Sequence, residues 1–226
     1  MSVFSETVDW FADSSHWHGN YGVPHFVVQH LGYTAETVVV ASAIAIPLGL
    51  WIGHTGRFRS LAVIVTGALR ALPTLGLLTG IVLLIGIGLT PPIIALVVLA
   101  IPPVLAGVYS GLESVDRKTI DAARAIGMTE WQILAKVEVP LALPLIVGGI
   151  RSATLQVVAT ATVAAYVGLG GLGRYLIDGL AVRDFPRMAA GSVLIIVIAL
   201  VLDGVFASLQ KLALRERTSP NPAIRS

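Results

Sequence analysis

Cysteine is absent from all 226 residues. Disulfides, thiolate metal centres and cysteine nucleophiles are therefore excluded together, while the compartment is left open. Charge is scarce as well. Asp, Glu, Lys and Arg make up 12% of the chain, about half of what an ordinary soluble domain carries. The basic excess is small, a formal net charge of +2, and it sits in loops, so nucleic acid is not a natural partner. No Walker A sequence, G-x-S-x-G or H-E-x-x-H occurs, so the chain has no means of hydrolysing ATP by itself and shows no catalytic pair. The first 33 residues hold neither Lys nor Arg and no long apolar core, which argues against a cleavable signal.

What the chain has in quantity is apolar sequence. Hydrophobic residues reach 55% and the mean hydropathy is +0.85. Runs at 34–52, 61–87, 93–112, 141–166 and 191–212 are each long enough to cross a bilayer, which takes about 20 helical residues. They are expected to be helices, because a lone strand in lipid would leave its backbone groups unpaired. The second is long enough to tilt. Glycines spaced by four (Gly49 and Gly53, Gly76 and Gly80, Gly107 and Gly111) predict close helix packing in three spans. Pro47, Pro73 and Pro144 each remove a helical hydrogen bond and predict kinks.

One polar segment interrupts these runs. In Asp121-Ala122-Ala123-Arg124-Ala125-Ile126-Gly127, Asp116 is placed to cap a helix and Gly127 to end it in a left-handed turn. Ile120, Ala123 and Ile126 recur on one face. Thr129 and Gln132 read as a capping box that starts a second short helix carrying Trp131 and Leu134. Val137-Glu138-Val139-Pro140 closes the segment. A lipid-bound amphipathic loop needs no such spacing.

The pattern acidic-Ala-Ala, three residues, Gly, nine residues, aliphatic-x-aliphatic-Pro resembles the loop by which permeases of bacterial ABC importers dock on their ATPase. The family writes Glu, Ile and Leu where this chain has Asp121, Val137 and Val139. Further segments resemble the osmoprotectant branch, which serves glycine betaine, carnitine and choline. These are His30-Leu31, Ile46-Pro47-Leu48-Gly49, Arg70-Ala71-Leu72-Pro73, Ile101-Pro102-Pro103, and the stretch from Ala159 through Tyr166 into Gly170-Gly171-Leu172-Gly173. Methionine-type permeases share the five-span plan and the Gly-Gly-Leu-Gly segment, so methionine is the alternative substrate; a passive channel is a more distant one.

The resemblance implies an all-α membrane protein of the type I ABC importer fold, of about five spans with a cytoplasmic coupling loop. It divides the chain into an extracytoplasmic interfacial segment (1–33), a transmembrane permease domain (34–212, coupling loop 113–139) and a cytoplasmic tail (213–226). Implied partners are an ATPase dimer that uses ATP and Mg, a second permease chain, a separate extracytoplasmic binding protein and the lipid membrane. The chain itself is expected to bind no cofactor and no metal. Asp121, Ala122, Ala123, Gly127, Trp131 and Pro140 are the candidate coupling residues. Arg70, Pro73, Arg151, Tyr166, Gly170 and Gly171 are candidates for the pathway or its gate.

Lys and Arg set the orientation. With the coupling loop inside, ten of them lie on the cytoplasmic side and only Arg174, Arg183 and Arg187 outside, as the positive-inside rule predicts for the bacterial cytoplasmic membrane. The N-terminus is then outside and the C-terminus inside. Arg70 and Arg151 fall within spans, where an arginine either snorkels to the interface or lines a polar path. Gly168-Leu169-Gly170-Gly171-Leu172-Gly173 satisfies G-x-G-x-x-G, but a dinucleotide site needs a preceding strand, and this run follows a membrane span. His16, His18, His25 and His30 match no zinc spacing; a polar, aromatic N-terminal segment at an interface accounts for them better.

Overall fold

The computed structural model describes residues 3–168 and 170–218, without the side chains of 213–218. The end of the expected tail and Leu169 of the glycine run lie outside the described residues. All regular structure among the described residues is helical. The helices are α1 (Val3–Ala12), α2 (Val23–Thr55), α3 (Arg59–Arg70), α4 (Thr74–Ile85), α5 (Thr90–Glu113), α6 (Arg117–Ala125), α7 (Glu130–Ile133), α8 (Val139–Thr160), α9 (Gly173–Val182) and α10 (Phe185–Thr218). Short 3-10 segments cover Ser14–Trp17 and Ala161–Val167, and a π segment covers Leu134–Glu138.

Three differences from expectation matter. The first span starts at Val23, well ahead of Thr34, because Gly22 caps it with Val23 and Pro24 in the first turn. The second is not one tilted helix. α3 and α4 meet at 88°, and only together do they count as a fifth span beside four uninterrupted ones. Pro73 stands at the break: it has no N–H to donate and disfavours the α region at Leu72, and α3 ends at Arg70 while the chain restarts at Thr74. By contrast Pro47 and Pro144 lie inside continuous helices. The fourth span is continuous from Glu130 to Val167, so the expected second loop helix is the first turn of that span.

Residues of α2, α5 and α8 form the central core, with Ala41, Ala45, Ala100, Val104, Val108, Ala142 and Ala153 fully buried. Lipid gives helices no hydrophobic reason to associate, so close van der Waals fit has to serve. A Cβ on Gly107 would lie 2.6 Å from the Cα of Gly149, and one on Gly49 2.7 Å from the Cβ of Val108. The pairs Gly49/Gly53 and Gly107/Gly111 thus do what their spacing predicts. Gly76 and Gly80 do not, since Gly80 has nothing near it and Gly76 meets only Pro73. Prolines 102 and 103 pass through α5 because a side chain repairs the ladder. Leu99 loses the donor that Pro103 would have been, and Gln156 Nε2 donates to its carbonyl at 3.0 Å.

The N-terminal segment is pinned to the bundle. Trp10 is buried edge-on to Tyr175, which also meets Phe26, and the Tyr175 hydroxyl donates to the carbonyl of Tyr21 at 3.0 Å. His16 stacks on Trp10 at 4.1 Å. Large apolar side chains on α10, among them Val197, Leu200 and Val201, face outward, as a helix in contact with lipid or another chain requires.

Candidate functional site

The polar loop is built by local rules. Asp116 accepts from the Lys118 N–H at 3.0 Å and starts α6. Gly127 has φ +85°. Its N–H donates to Arg124 at 2.9 Å and that of Met128 to Ala123 at 3.1 Å, the paired bonds of a Schellman cap. Thr129 and Gln132 form a reciprocal capping box, which opens α7. Val139 N–H then reaches back to Leu134 across the π segment. Pro140, one residue further, has no N–H for the ladder, and the wider turn absorbs the mismatch.

Two faces result. Ala123 is buried and Ile120 half-buried, while Asp121 and Ala122 are exposed. Ile126 does not join the inner face as its spacing predicted, because it already lies past the last helical turn; it is 79% exposed and Trp131 is 80% exposed. Both leave large apolar side chains uncovered on the surface of a polar loop.

Behind that surface lies a connected set of charges around a cleft of about 270 Å³. Arg124 forks onto Glu130 with bonds of 2.9 and 3.1 Å and lies 3.5 Å from Asp121. The hydrogen bond that Arg124 donates to Glu130, reinforced by the carboxylate charge, raises the Arg124 pKa above its ordinary value. His54, in the last turn of α2, lies between Glu130 (3.3 Å) and Glu138, which it contacts through Nδ1. Arg59 pairs with Glu113 on the rim.

The six pathway candidates do not converge. Arg70 ends α3, exposed and without an ion-pair partner among the described residues, and Pro73 caps α4. Arg151 does not stand alone. Its Nε and Nη2 each lie 2.7 Å from an oxygen of Asp203 on α10, and Gln210 bridges it to the carbonyl of Pro144. Tyr166, exposed, lies in the 3-10 turn at the other end of the bundle. There the Gly171 N–H donates to Gln29 at 2.9 Å and Gly170 packs on the same side chain. His30 donates through Nε2 to Val158 at 2.9 Å, where α8 is about to loosen into its 3-10 turn. A 3-10 turn, not a strand, precedes the glycine run, so it lacks the dinucleotide framework.

The sequence reading missed Asp203, His54, Glu138 and Gln29. For Asp203 the signal was present: a lone acid within an apolar span calls for a partner.

Residues 45–215 match the family model described as binding-protein-dependent transport system inner membrane component. The chain belongs to that family. Among curated relatives, the permease is 37% identical over 190 residues to the osmoprotectant import permease protein OsmW of Salmonella typhimurium, covering 80% of this chain and 87% of that one. It is 32% identical over 182 residues to the carnitine transport permease protein OpuCB of Listeria monocytogenes, covering 80% and 84%. Among solved structures, an inward-facing MetNI methionine ABC transporter superposes with a TM-score of 0.75 at 24% identity, over 84% of the permease and 95% of that chain. That likeness carries the fold alone. The permease is thus an all-helical, multi-pass membrane component of a transport system.

Proposed function

We propose that the permease forms half of the membrane channel of an ATP-driven importer for quaternary ammonium osmoprotectants such as glycine betaine, choline and carnitine. A second permease chain completes the channel, a cytoplasmic ATPase dimer uses ATP and Mg, and a separate binding protein delivers the solute. The observation that carries this reading is the loop: Ile126 and Trp131 are uncovered on it, and its second helix runs without a break into a membrane span. When the ATPase dimer closes, its pull on α7 reaches α8 directly, and its pull on α6 passes to α7 through the Arg124–Glu130 fork. The names of the curated relatives favour osmoprotectants over methionine. In vesicles the assembled transporter should take up labelled betaine, choline or carnitine only with ATP and the binding protein. Competition by methionine and by none of these three would give the channel to the alternative substrate.

The loop end of the bundle is cytoplasmic in this reading and the N-terminus extracytoplasmic. The natural absence of cysteine makes single replacements clean reporters. Ser14→Cys and Asp178→Cys should react with an impermeant thiol reagent in intact cells, and Ser219→Cys should not. Labelling of Ser219→Cys from outside overturns the orientation.

A further inference from the structure

The coupling loop has little packing of its own. In α6 only Ala123 is buried, yet a pull on this nine-residue helix must move the spans. Charge supplies the missing connection. Arg124 on α6 holds Glu130 on α7, Glu130 faces His54 on α2, and His54 holds Glu138 in the π segment. Four elements are strung on one line of side chains.

Glu138 makes the line more than a surface network. It is only 3% exposed, and a carboxylate removed from water needs a partner. Among the described residues its side-chain hydrogen bond is to His54. It also occupies the unassigned position in Val137-Glu138-Val139-Pro140, between the aliphatic residues that define the motif. His54 faces a carboxylate on each of its two ring nitrogens, Glu130 through Nε2 and Glu138 through Nδ1.

The π segment adds a mechanical consequence. Losing its extra residue would turn Glu138 by about 100° around the helix axis, since 3.6 residues complete a turn. His54 would then be out of reach. The contact therefore holds the loop, the start of α8 and the end of α2 in one register.

We propose that His54 and Glu138 are positioning residues for energy coupling: a clasp through which movement of the ATPase-docking loop reaches the first span. This rests on the coupling reading given above. The test uses the full transporter in vesicles and compares the wild type with Glu138→Gln, His54→Leu and the double variant His54→Leu/Glu138→Leu. The double variant removes both partners and leaves neither stranded, so it separates folding from coupling. Three quantities are read: co-purified ATPase, ATP hydrolysis, and solute taken up per ATP. The double variant should retain the ATPase, because Asp121, Ile126 and Trp131 are untouched, while uptake per ATP falls about fivefold or more in it and in both singles. Wild-type uptake per ATP in the double variant would overturn the clasp and leave a fold-stabilising pair. Loss of bound ATPase in the double variant would overturn it too, assigning the pair to docking. A wild-type chain that retains no ATPase defeats the coupling reading itself, and the clasp with it.

Discussion

Gly127→Val should abolish transport while leaving the permease folded and inserted. A Cβ at this position would meet nothing within 4 Å, so the lesion is not a clash inside this chain. It is conformational. Gly127 sits at φ +85°, where an L-residue pays about 1–2 kcal/mol and a β-branched one more. Relieving the strain means surrendering the bonds from Gly127 to Arg124 and from Met128 to Ala123, which set the angle between α6 and the start of the fourth span. Ile126 and Trp131 would then no longer present one surface. Uptake and ATPase co-purification should both fall about tenfold or more, a loss of roughly 1.4 kcal/mol or more in docking. Gly127→Asn should be milder, because Asn tolerates the left-handed region. Asp121→Lys should weaken docking less, since its carboxylate is exposed and pairs only loosely, at 3.5 Å, with Arg124. If Gly127→Val keeps both uptake and ATPase at normal levels, the loop is not the coupling element.

The loop was legible residue by residue because its determinants are local. A cap, a left-handed glycine and a capping box each involve residues within four or five positions, and Asp116, Gly127 and Thr129–Gln132 behave as their identities require. The two central glycine pairs were legible for a related reason: spacing by four puts both on one helix face. What the sequence hid depends on partners far along the chain. His54 and Glu138 meet across 84 positions and Gln156 reaches Leu99 across 57. No periodicity announces such contacts. The break at Pro73 was half visible, since hydropathy sees an unbroken apolar run at 61–87 while the Leu72-Pro73 step only disfavours a continuous helix, as Pro47 and Pro144 inside theirs make plain. Gly76 and Gly80 show the limit of a spacing rule. Both have the right separation, but α4 is turned by the 88° bend, and among the described residues no other helix comes close enough to use them.

Breaking the intramembrane pair should cost the permease its fold more than its chemistry. Arg151 and Asp203 join α8 to α10 through two bonds of 2.7 Å, and α10 otherwise offers the bundle a mostly outward-facing apolar surface. Each charge is tolerable in an apolar span only while the other neutralises it. Asp203→Asn leaves the guanidinium with Gln210 alone, and Arg151→Leu strands the carboxylate. Each should lower the yield of folded, monodisperse protein by about an order of magnitude. The double variant Arg151→Leu/Asp203→Leu should recover most of that yield, because an apolar pair in lipid leaves nothing unsatisfied. The exchange Arg151→Asp/Asp203→Arg should recover part of it, limited by Gln210 and the Pro144 carbonyl, which are arranged for a donor on α8. Solute uptake by the double apolar variant then distinguishes two roles. Wild-type uptake identifies the pair as a bolt that never opens during the cycle. Folded protein with slow uptake means that the bolt opens as the spans rock, with water or solute reaching Arg151 in the open state. Single variants that fold and transport as well as wild type would contradict both roles, and with them the assignment of these charges to the interior of the spans.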